Sequence, residues 1–493
     1  MDMLNIPGLG PKGVATVWKQ GGVETIDDLK QKIDNGELTD LPRMGEKTLA
    51  KIRKAIDFTQ KSSQRILLGE AVHLAHSVIE HLRAAGGIRK INHAGSLRRG
   101  RETIGDIDIL ACCDDPQHIA HAFRGMPMVD HVLFSGVTKN SVMIDGGVQI
   151  DLRIVPEESY GAALMYFTGS KEHNIVLRER AIKQGMRLNE WGLWRGDDES
   201  DDNAQPLAGA TESEVYEALG LPLIEPPLRE HRGEFEAAGR DALPKLVRTK
   251  DIKSELHAHT TASDGLMSID QLAEVASRHG FHTIAVTDHS SLTGVAHGLD
   301  AKRLAKHAKA VRKANEQTDG ITILAGAEVD ILADGSLDYP DDVLAELDIV
   351  VASPHVALTL DPAKSTTRLI RAVENPYVHI LGHPTGRAMR MREGMSPDIH
   401  QLVEAAARTG TALEINANQV RLDLRDTHAR AAIEAGAMLA INTDAHRIND
   451  FDNLRFGVMT ARRAWAEPKH VVNCLTPAKL TKWLAAKRKL HGV

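Results

Sequence analysis

Three shortages narrow the class of this 493-residue chain before any motif is read. Cysteine is scarce: Cys112, Cys113 and Cys474 are the only three, an odd number without zinc-module spacing. That excludes a disulfide-stapled secreted scaffold and suits a reducing, cytoplasmic setting. No apolar run reaches the ~18 residues of a membrane-spanning helix. The opening MDMLNIPGLG has neither the basic start nor the apolar stretch of a secretory signal, so no membrane partner is expected. Positive charge is short as well. A net charge of −7 is unusual for a surface that grips polyanions everywhere. Any nucleic-acid groove must be locally basic, with Lys12, Lys47, Lys51, Arg53, Lys54, Arg98, Arg99 and Arg101 as candidates. Core is not short: 42% of the residues are apolar, enough for two or three domains.

The densest chemistry starts at Ser254–Asp264, SELHAHTTASD. Side chains two apart on a strand share a face, so His257 and His259 project together, with Asp264 returning from the next turn. Such a pair alone is common on solvated strands. The next 190 or so residues give it weight. Short apolar runs end, one after another, in metal-ligand residue types: Asp288 and His289, Glu328, His355, His383, Glu414 and Asn416, then Asp444 and His446. Between them lie amphipathic stretches such as Ile269–His279, Ser365–Glu374, Ile399–Thr409 and Thr427–Ala435. Alternating strand and helix patterns predict parallel strands with crossover helices. Such folds place their chemistry at the C-terminal strand ends. The chain has 24 histidines, and His279, His282, His297, His307, His379, His400 and His428 fall in helical or flanking positions. Those are set aside as ordinary surface or packing residues.

The first half carries a second, independent pattern. His93–Leu110 reads HAGSLRRGRETIGDIDIL. Gly95 and Ser96 followed by two arginines suit a loop offering N–H groups and positive charge to phosphate. Asp106 and Asp108 alternate with Ile107 and Ile109, which predicts a strand with both carboxylates on one face. Two such carboxylates repel unless a cation lies between them. Asp151, in VQIDLRIV, is a third candidate on a second strand.

These residues carry two family resemblances. HAH, SDG, TDH, the lone glutamate, PH, GHP and TDAH resemble the polymerase and histidinol phosphatase (PHP) domain. That implies a distorted seven-stranded β/α barrel and phosphoester hydrolysis with two or three Mn²⁺, Zn²⁺ or Fe²⁺ ions. Carried over by motif, the ligands are His257, His259, Asp264, His289, Glu328, His355, His383, Asp444 and His446. The Gly-Ser-x-Arg-Arg-Gly loop, GDIDIL and DLR resemble the nucleotidyltransferase palm of bacterial family X DNA polymerases. Tyr166–Asn174, YFTGSKEHN, and Met186–Arg195, MRLNEWGLWR, are similar to the thumb of that family. The resemblance implies Asp106, Asp108 and Asp151 as catalytic carboxylates around Mg²⁺ or Mn²⁺, with Asp151 nearest the primer 3′-hydroxyl. It implies nucleotide binding by Gly95, Ser96, Arg99, Gly105, Tyr166, Phe167 and Gly169, with Asn174 and Arg178 facing the minor groove. Gln149 stands where the animal enzymes carry arginine, and Lys171 and Glu172 also depart from them.

The N-terminus agrees. Ile6–Lys12, IPGLGPK, resembles a helix-hairpin-helix turn, and Leu41–Lys47, LPRMGEK, a degenerate copy with Arg43 in a usual glycine position. Gly8, Gly10, Lys12, Gly45 and Lys47 are then candidates for contacting DNA backbone. Full-length relatives begin with a lyase-type domain; this chain starts inside the fingers, so lyase activity is not expected. The expected layout is fingers to residue 60, palm 61–155, thumb 156–235, linker 236–250 and barrel 251–480. An acidic run, Asp197–Asp202, falls in the thumb and is expected to be a solvated loop. The expected activity is gap-filling DNA synthesis plus 3′–5′ trimming or 3′-end processing by the barrel, with nicking at abasic sites as a further option. The expected partners are gapped or primed DNA and deoxynucleoside triphosphates, with the chain a monomer. Two rivals are a small-molecule phosphatase barrel fused to a polymerase half, and a nuclease barrel served by a noncatalytic DNA-binding half.

Overall fold

The computed structural model describes residues 3, 9–63, 65–196, 206–292, 294–490 and 492. Gly8 and the acidic run at 197–202 lie outside the described residues.

The N-terminal unit is helical. Helices Pro11–Lys19, Ile26–Asp34 and Glu46–Ser63 pack around Leu9, Val17, Val23, Leu29, Leu38, Leu49, Ile52 and Ile56. Gly10 caps the first helix and Gly45 precedes the third, so Lys12 and Lys47 both sit, exposed, in the first turn of a helix. Arg43 has φ +68°. That left-handed backbone is why a glycine would be favoured there.

A five-stranded mixed sheet follows: β1 (Ile88–His93), β2 (Asp106–Cys113), β3 (Val129–Ser135), β4 (Lys139–Ile144) and β5 (Val148–Ile154), in the order β1-β2-β5-β4-β3. Alternation along β2 sorts its residues between two cores. Ile107, Ile109 and Ala111 face helices Leu68–Ala84 and Pro116–Arg124. Leu110 and Cys112 face helix Tyr160–Thr168 on the other side, with Asp106 and Asp108 on that same face. Helix Lys171–Lys183 and hairpin Met186–Asn189/Gly192–Arg195 continue the chain.

The C-terminal half is a parallel barrel of seven strands in sequence order. They are β6 (Ser254–Glu255), β7 (Thr283–Val286), β8 (Thr322–Asp330), β9 (Ile349–Ser353), β10 (Ile380–Leu381), β11 (Ala412–Asn416) and β12 (Leu439–Asn442). The strands are buried throughout, apart from the start of β8, as expected for a parallel sheet covered by helices. Leu256, Ala285, Ile349, Val351, Ile380, Ala412 and Ala440 fill the interior below the strand ends, and Leu480 from helix Pro477–Leu490 closes it. Between β12 and β6 the barrel is joined at the mouth by the His259 N–H donating to the Ala445 carbonyl, 2.9 Å. Lower down, the Asn473 side chain spans the gap: its Nδ2 donates to the Ser254 carbonyl (3.0 Å) and its Oδ1 accepts from the Ile441 N–H (2.8 Å).

The segment read as a linker, 236–250, is mostly exposed but anchored at a few residues. It ends helix Glu234–Gly239 and buries Leu246 and Val247, because its apolar residues fill the seam between thumb and barrel. The two halves also share core: Leu422 and Phe456 of the C-terminal half pack into the palm cluster.

Candidate catalytic and metal centres

The palm centre rests on strand register. β2 and β5 are parallel, and Asp108 stands directly opposite Asp151 while Asp106 stands opposite Gln149. Asp106, Asp108 and Asp151 each bring a carboxylate oxygen within 4.8 Å of the others'. Burial first, then the charges of Asp106 and Asp151, push the Asp108 carboxyl up to about 7. Three converging carboxylates fit divalent cations, which oxygen donors favour. Gln149 is not idle: its Nε2 donates to Asp151 Oδ1 at 2.9 Å and fixes that carboxylate. Gly95 has φ +59°, and a Cβ there would lie 2.2 Å from Asp108 Oδ2, so the loop can approach the triad only as glycine. Ser96 follows it in the short helix Gly95–Arg98, and Gly105 directly precedes Asp106.

Beside the triad is a cavity of about 280 Å³ lined by Arg99, Tyr166, Phe167, Gly169, Asn174 and Arg178, among others. Asn174 Nδ2 donates to the Tyr166 carbonyl at 2.6 Å. A Cβ at Gly169 would meet Asn174 Oδ1 at 2.2 Å. The arginines read as groove candidates are partly spoken for. Arg53 pairs with Asp34 (2.6 Å), Arg98 with Glu212 (2.7 Å) and Arg99 with Glu230 (2.9 Å). These partners sit 19, 114 and 131 residues away in sequence, beyond the reach of any local pattern. Lys12, Lys47 and Lys51 are exposed.

The barrel centre is built at the C-terminal strand ends. All nine residues of the motif set come together at the mouth. Glu328 lies at its middle, with His383 Nε2 at 2.9 Å, His289 Nδ1 at 2.8 Å, His257 Nε2 at 3.3 Å and His355 Nε2 at 3.4 Å. Asp444 Oδ1 is 3.1 Å from His259 Nε2. Asp264 Oδ1 is 3.3 Å from His446 Nε2 and 3.5 Å from His289 Nε2. Three donor groups have ligand atoms within 4.8 Å of one another: His259, Asp264, His289 and His446; His257, His259 and Glu328; His289, Glu328 and His355. His383 and Asp444 adopt left-handed backbone, φ +24° and +53°, a cost borne where side-chain direction matters.

A layer behind the nine aims them. Glu414 Oε1 accepts from His257 Nδ1 at 2.8 Å, which turns Nε2 inward, and Asp330 Oδ1 accepts from His355 Nδ1 at 2.9 Å with the same result. Asn416 Nδ2 donates to Asp444 Oδ2 at 2.9 Å. Asp288 anchors the loop that carries Asp264, accepting from the Thr260 N–H and hydroxyl and from Ser263 Oγ. The motifs do not single out Asp330, although it stands two residues beyond Glu328 and so on the same strand face. Glu414 and Asn416 are legible at a strand end, but their supporting role is not.

The donor set fits metal ions. Five buried ligand atoms, His257 Nε2, His259 Nδ1, His289 Nδ1, Glu328 Oε2 and His383 Nδ1, make no well-directed hydrogen bond, even though His289 Nδ1 lies 2.8 Å from Glu328 Oε2. Orphaned buried donors and acceptors are costly unless something coordinates them. Burial alone would raise Glu328; the imidazoles of His355, His257 and His289 instead hold it well below the ordinary carboxylate range. Burial, with His289 beside it, lowers His259 to about 4, which keeps a ring nitrogen free to bind. Mixed imidazole and carboxylate donors suit Mn²⁺, Fe²⁺ or Zn²⁺.

Family models match the SAM-like helix-hairpin-helix tandem over residues 1–57, the DNA polymerase beta thumb over 163–230 and the PHP domain over 255–418. The DNA polymerase/3′-5′ exonuclease PolX of Bacillus subtilis (strain 168) is 41% identical over 475 residues, covering 96% of this chain and 82% of that protein. A probable phosphatase of Thermoanaerobacter sp. (strain X514) is 29% identical over 251 residues, 48% of this chain and 96% of that protein. A crystal structure of Leishmania infantum polymerase beta in a ternary P/T complex covers 45% of this chain and 94% of its own, with 22% identity and a TM-score of 0.31.

Proposed function

Because the chain belongs to the family X DNA polymerases that carry a C-terminal PHP domain, we propose that it both extends and trims a primer 3′ end. The palm adds deoxynucleotides at primed or gapped DNA, and the barrel removes 3′ nucleotides. The observation that carries the reading is the presence of two separate donor clusters on one chain, a three-carboxylate set in the palm and a His-rich set at the barrel mouth.

Divalent cations, when bound, would supply charge for the leaving phosphate oxygens and an activated oxygen nucleophile. The chain's own residues do the rest. Asp106, Asp108 and Asp151 would hold the palm cations, Mg²⁺ or Mn²⁺, with Gln149 keeping Asp151 turned toward the primer end. Gly95 and Ser96 bring backbone N–H groups to the triphosphate. Arg99, at the edge of the adjoining cavity, would offer its guanidinium to the same phosphates. Tyr166, Phe167 and Gly169 form the sugar-facing wall. In the barrel, the nine motif residues would hold two or three ions, and Glu414 and Asp330 keep two imidazoles aimed. Gly10, Lys12, Gly45 and Lys47, at two helix N-termini, would hold the DNA backbone without reading its sequence.

The small-phosphatase rival draws on the likeness of the barrel to probable phosphatases, but that match spans 48% of the chain whereas the PolX match spans 96%. A 5′-labelled primer on gapped duplex, with Mn²⁺ or Mg²⁺, tests the proposal. Lengthening that requires nucleotides and shortening without them are expected. Shortening with no lengthening would reduce the N-terminal half to a DNA-binding module. Phosphate release from small monoesters with no trimming would make the barrel a phosphatase.

A further inference from the structure

A cleft of about 530 Å³ opens where the palm meets the rim of the barrel mouth. Its palm side includes Thr103, three residues before Asp106; its barrel side includes Thr385 and Arg387, shortly after His383. Five arginines line it, Arg65, Arg387, Arg390, Arg392 and Arg425, against two carboxylates, Glu102 and Glu393. Arg387 is only 3% exposed. Its Nη2 donates to Glu102 Oε2 at 2.8 Å and to the Leu422 carbonyl, but its Nε is buried with no partner. His428 Nδ1 is likewise buried and unpartnered. Burial, then the charges of Arg425 and Arg387, push that ring down to about 4. Burial and the nearby Arg421 also lower Arg392. Arg387 is offset by Glu102 and Arg390 by Glu70, so among the described residues Arg65, Arg392 and Arg425 are the cleft's arginines outside an ion pair, and beside them is a buried N–H that has nothing to donate to. Beside the charges is an apolar wall of Met389, Met395 and Pro397.

We propose that this cleft binds a nucleoside 5′-phosphate, with the phosphate at Arg387 Nε, Arg392 and Arg425 and the base on Met389, Met395 and Pro397. The volume lies within the roughly 300–1,000 Å³ of small-molecule sites and is generous for a bare phosphate. Guanidinium groups are the side chains best matched to phosphate oxygens, and an apolar wall suits the face of a base. Two sources share this chemistry: a free deoxynucleoside monophosphate, and the last nucleotide of a DNA strand. Because both halves line the cleft, an occupant would tie palm to barrel.

The full chain would be titrated calorimetrically with dAMP in excess EDTA, which suppresses metal-dependent binding at both centres. Adenosine, inorganic phosphate and a short oligothymidylate form separate arms. One saturable dAMP site is expected, weakened about tenfold or more in Arg392→Gln/Arg425→Gln. Both positions are exposed, and an unchanged Tm would show that the fold is kept. Arg387→Gln should weaken binding further. Binding of the oligothymidylate in place of dAMP, with the same sensitivity to the double variant, would support the site and assign it to a strand end. No saturable binding in either arm, equal binding of inorganic phosphate, or affinity unchanged in the double variant would overturn the proposal.

Discussion

The palm and the barrel mouth solve one problem, holding cations beside a phosphoester, in opposite ways. The palm uses three oxygen donors on two neighbouring strands of an open sheet; Asp106 is exposed, and Gln149 is the side chain that steadies Asp151. The barrel uses nine residues from all round a closed ring, most of them buried, with Glu414, Asp330, Asn416 and Asp288 behind them. An open, hard-oxygen site is suited to a cation that arrives and leaves with the nucleotide. A buried, braced, nitrogen-rich site is suited to ions that stay. Changing one centre at a time tests that division of labour.

The largest effect is expected from Asp106→Ala/Asp108→Ala, which should lower nucleotide addition by about 10³-fold or more while leaving trimming intact. Primer-extension and exonuclease rates on the same preparation check it; a parallel loss of both would mean the centres are not independent. His257→Ala/His259→Ala should do the converse, abolishing 3′ trimming with extension retained. Trimming that survives in a preparation free of other nucleases would remove the barrel from the reading.

A milder change probes the contrast more finely. Glu414→Gln touches no expected cation directly, yet it should weaken metal retention in the barrel by about 10–100-fold. Metal content after dialysis measures this, and the palm's response to added Mg²⁺ should not change. If retention is unaffected, the bracing layer is not what distinguishes the two centres.

The smallest effect concerns acid. Burial would raise Glu212, but hydrogen bonds from Arg98 and the charges of Arg229 and Arg98 outweigh it and lower the carboxyl to about 2. A depressed carboxyl stabilises the fold above its unfolded value of 4.5 and loses that contribution as pH falls from 4.5 toward about 2. Glu212→Gln should therefore cost roughly 1–3 kcal/mol near neutrality, with the gap to wild type closing in that acid window. Denaturant melts at several pH values read it out. Barrel metal content at neutral pH should be unaltered, since Glu212 lies in the polymerase half.

Much of this contrast is legible in the sequence. Strand-end histidines and acids separated by helix patterns report a common mouth, because parallel topology brings successive C-terminal ends together. Asp106, Asp108 and Asp151 are legible because period-two alternation fixes which side chains share a face. The bracing residues are harder to read. Glu414 and Asp330 occupy strand ends just as the expected ligands do, and one turn of a side chain separates a ligand from its support. The pairing of Arg99 with Glu230 and of Arg463 with both Glu230 and Asp426 is invisible there, since contacts between segments far apart in the chain leave no local pattern. The anchoring of Leu246 and Val247 within 236–250 is hidden for the same reason: the segment's composition is that of a linker, and the partners of these two residues lie elsewhere.

The Asn473 side chain that bridges β6 and β12 also sets an order of events in time. On a ribosome the polymerase half emerges whole before the barrel can be completed, since a C-terminal amide closes the seam beside the strand leading to His257 and His259. Domains fold largely as they are made, yet Leu422 and Phe456 also complete the palm core, so neither half of a nascent chain would be finished until its C-terminal stretch had emerged.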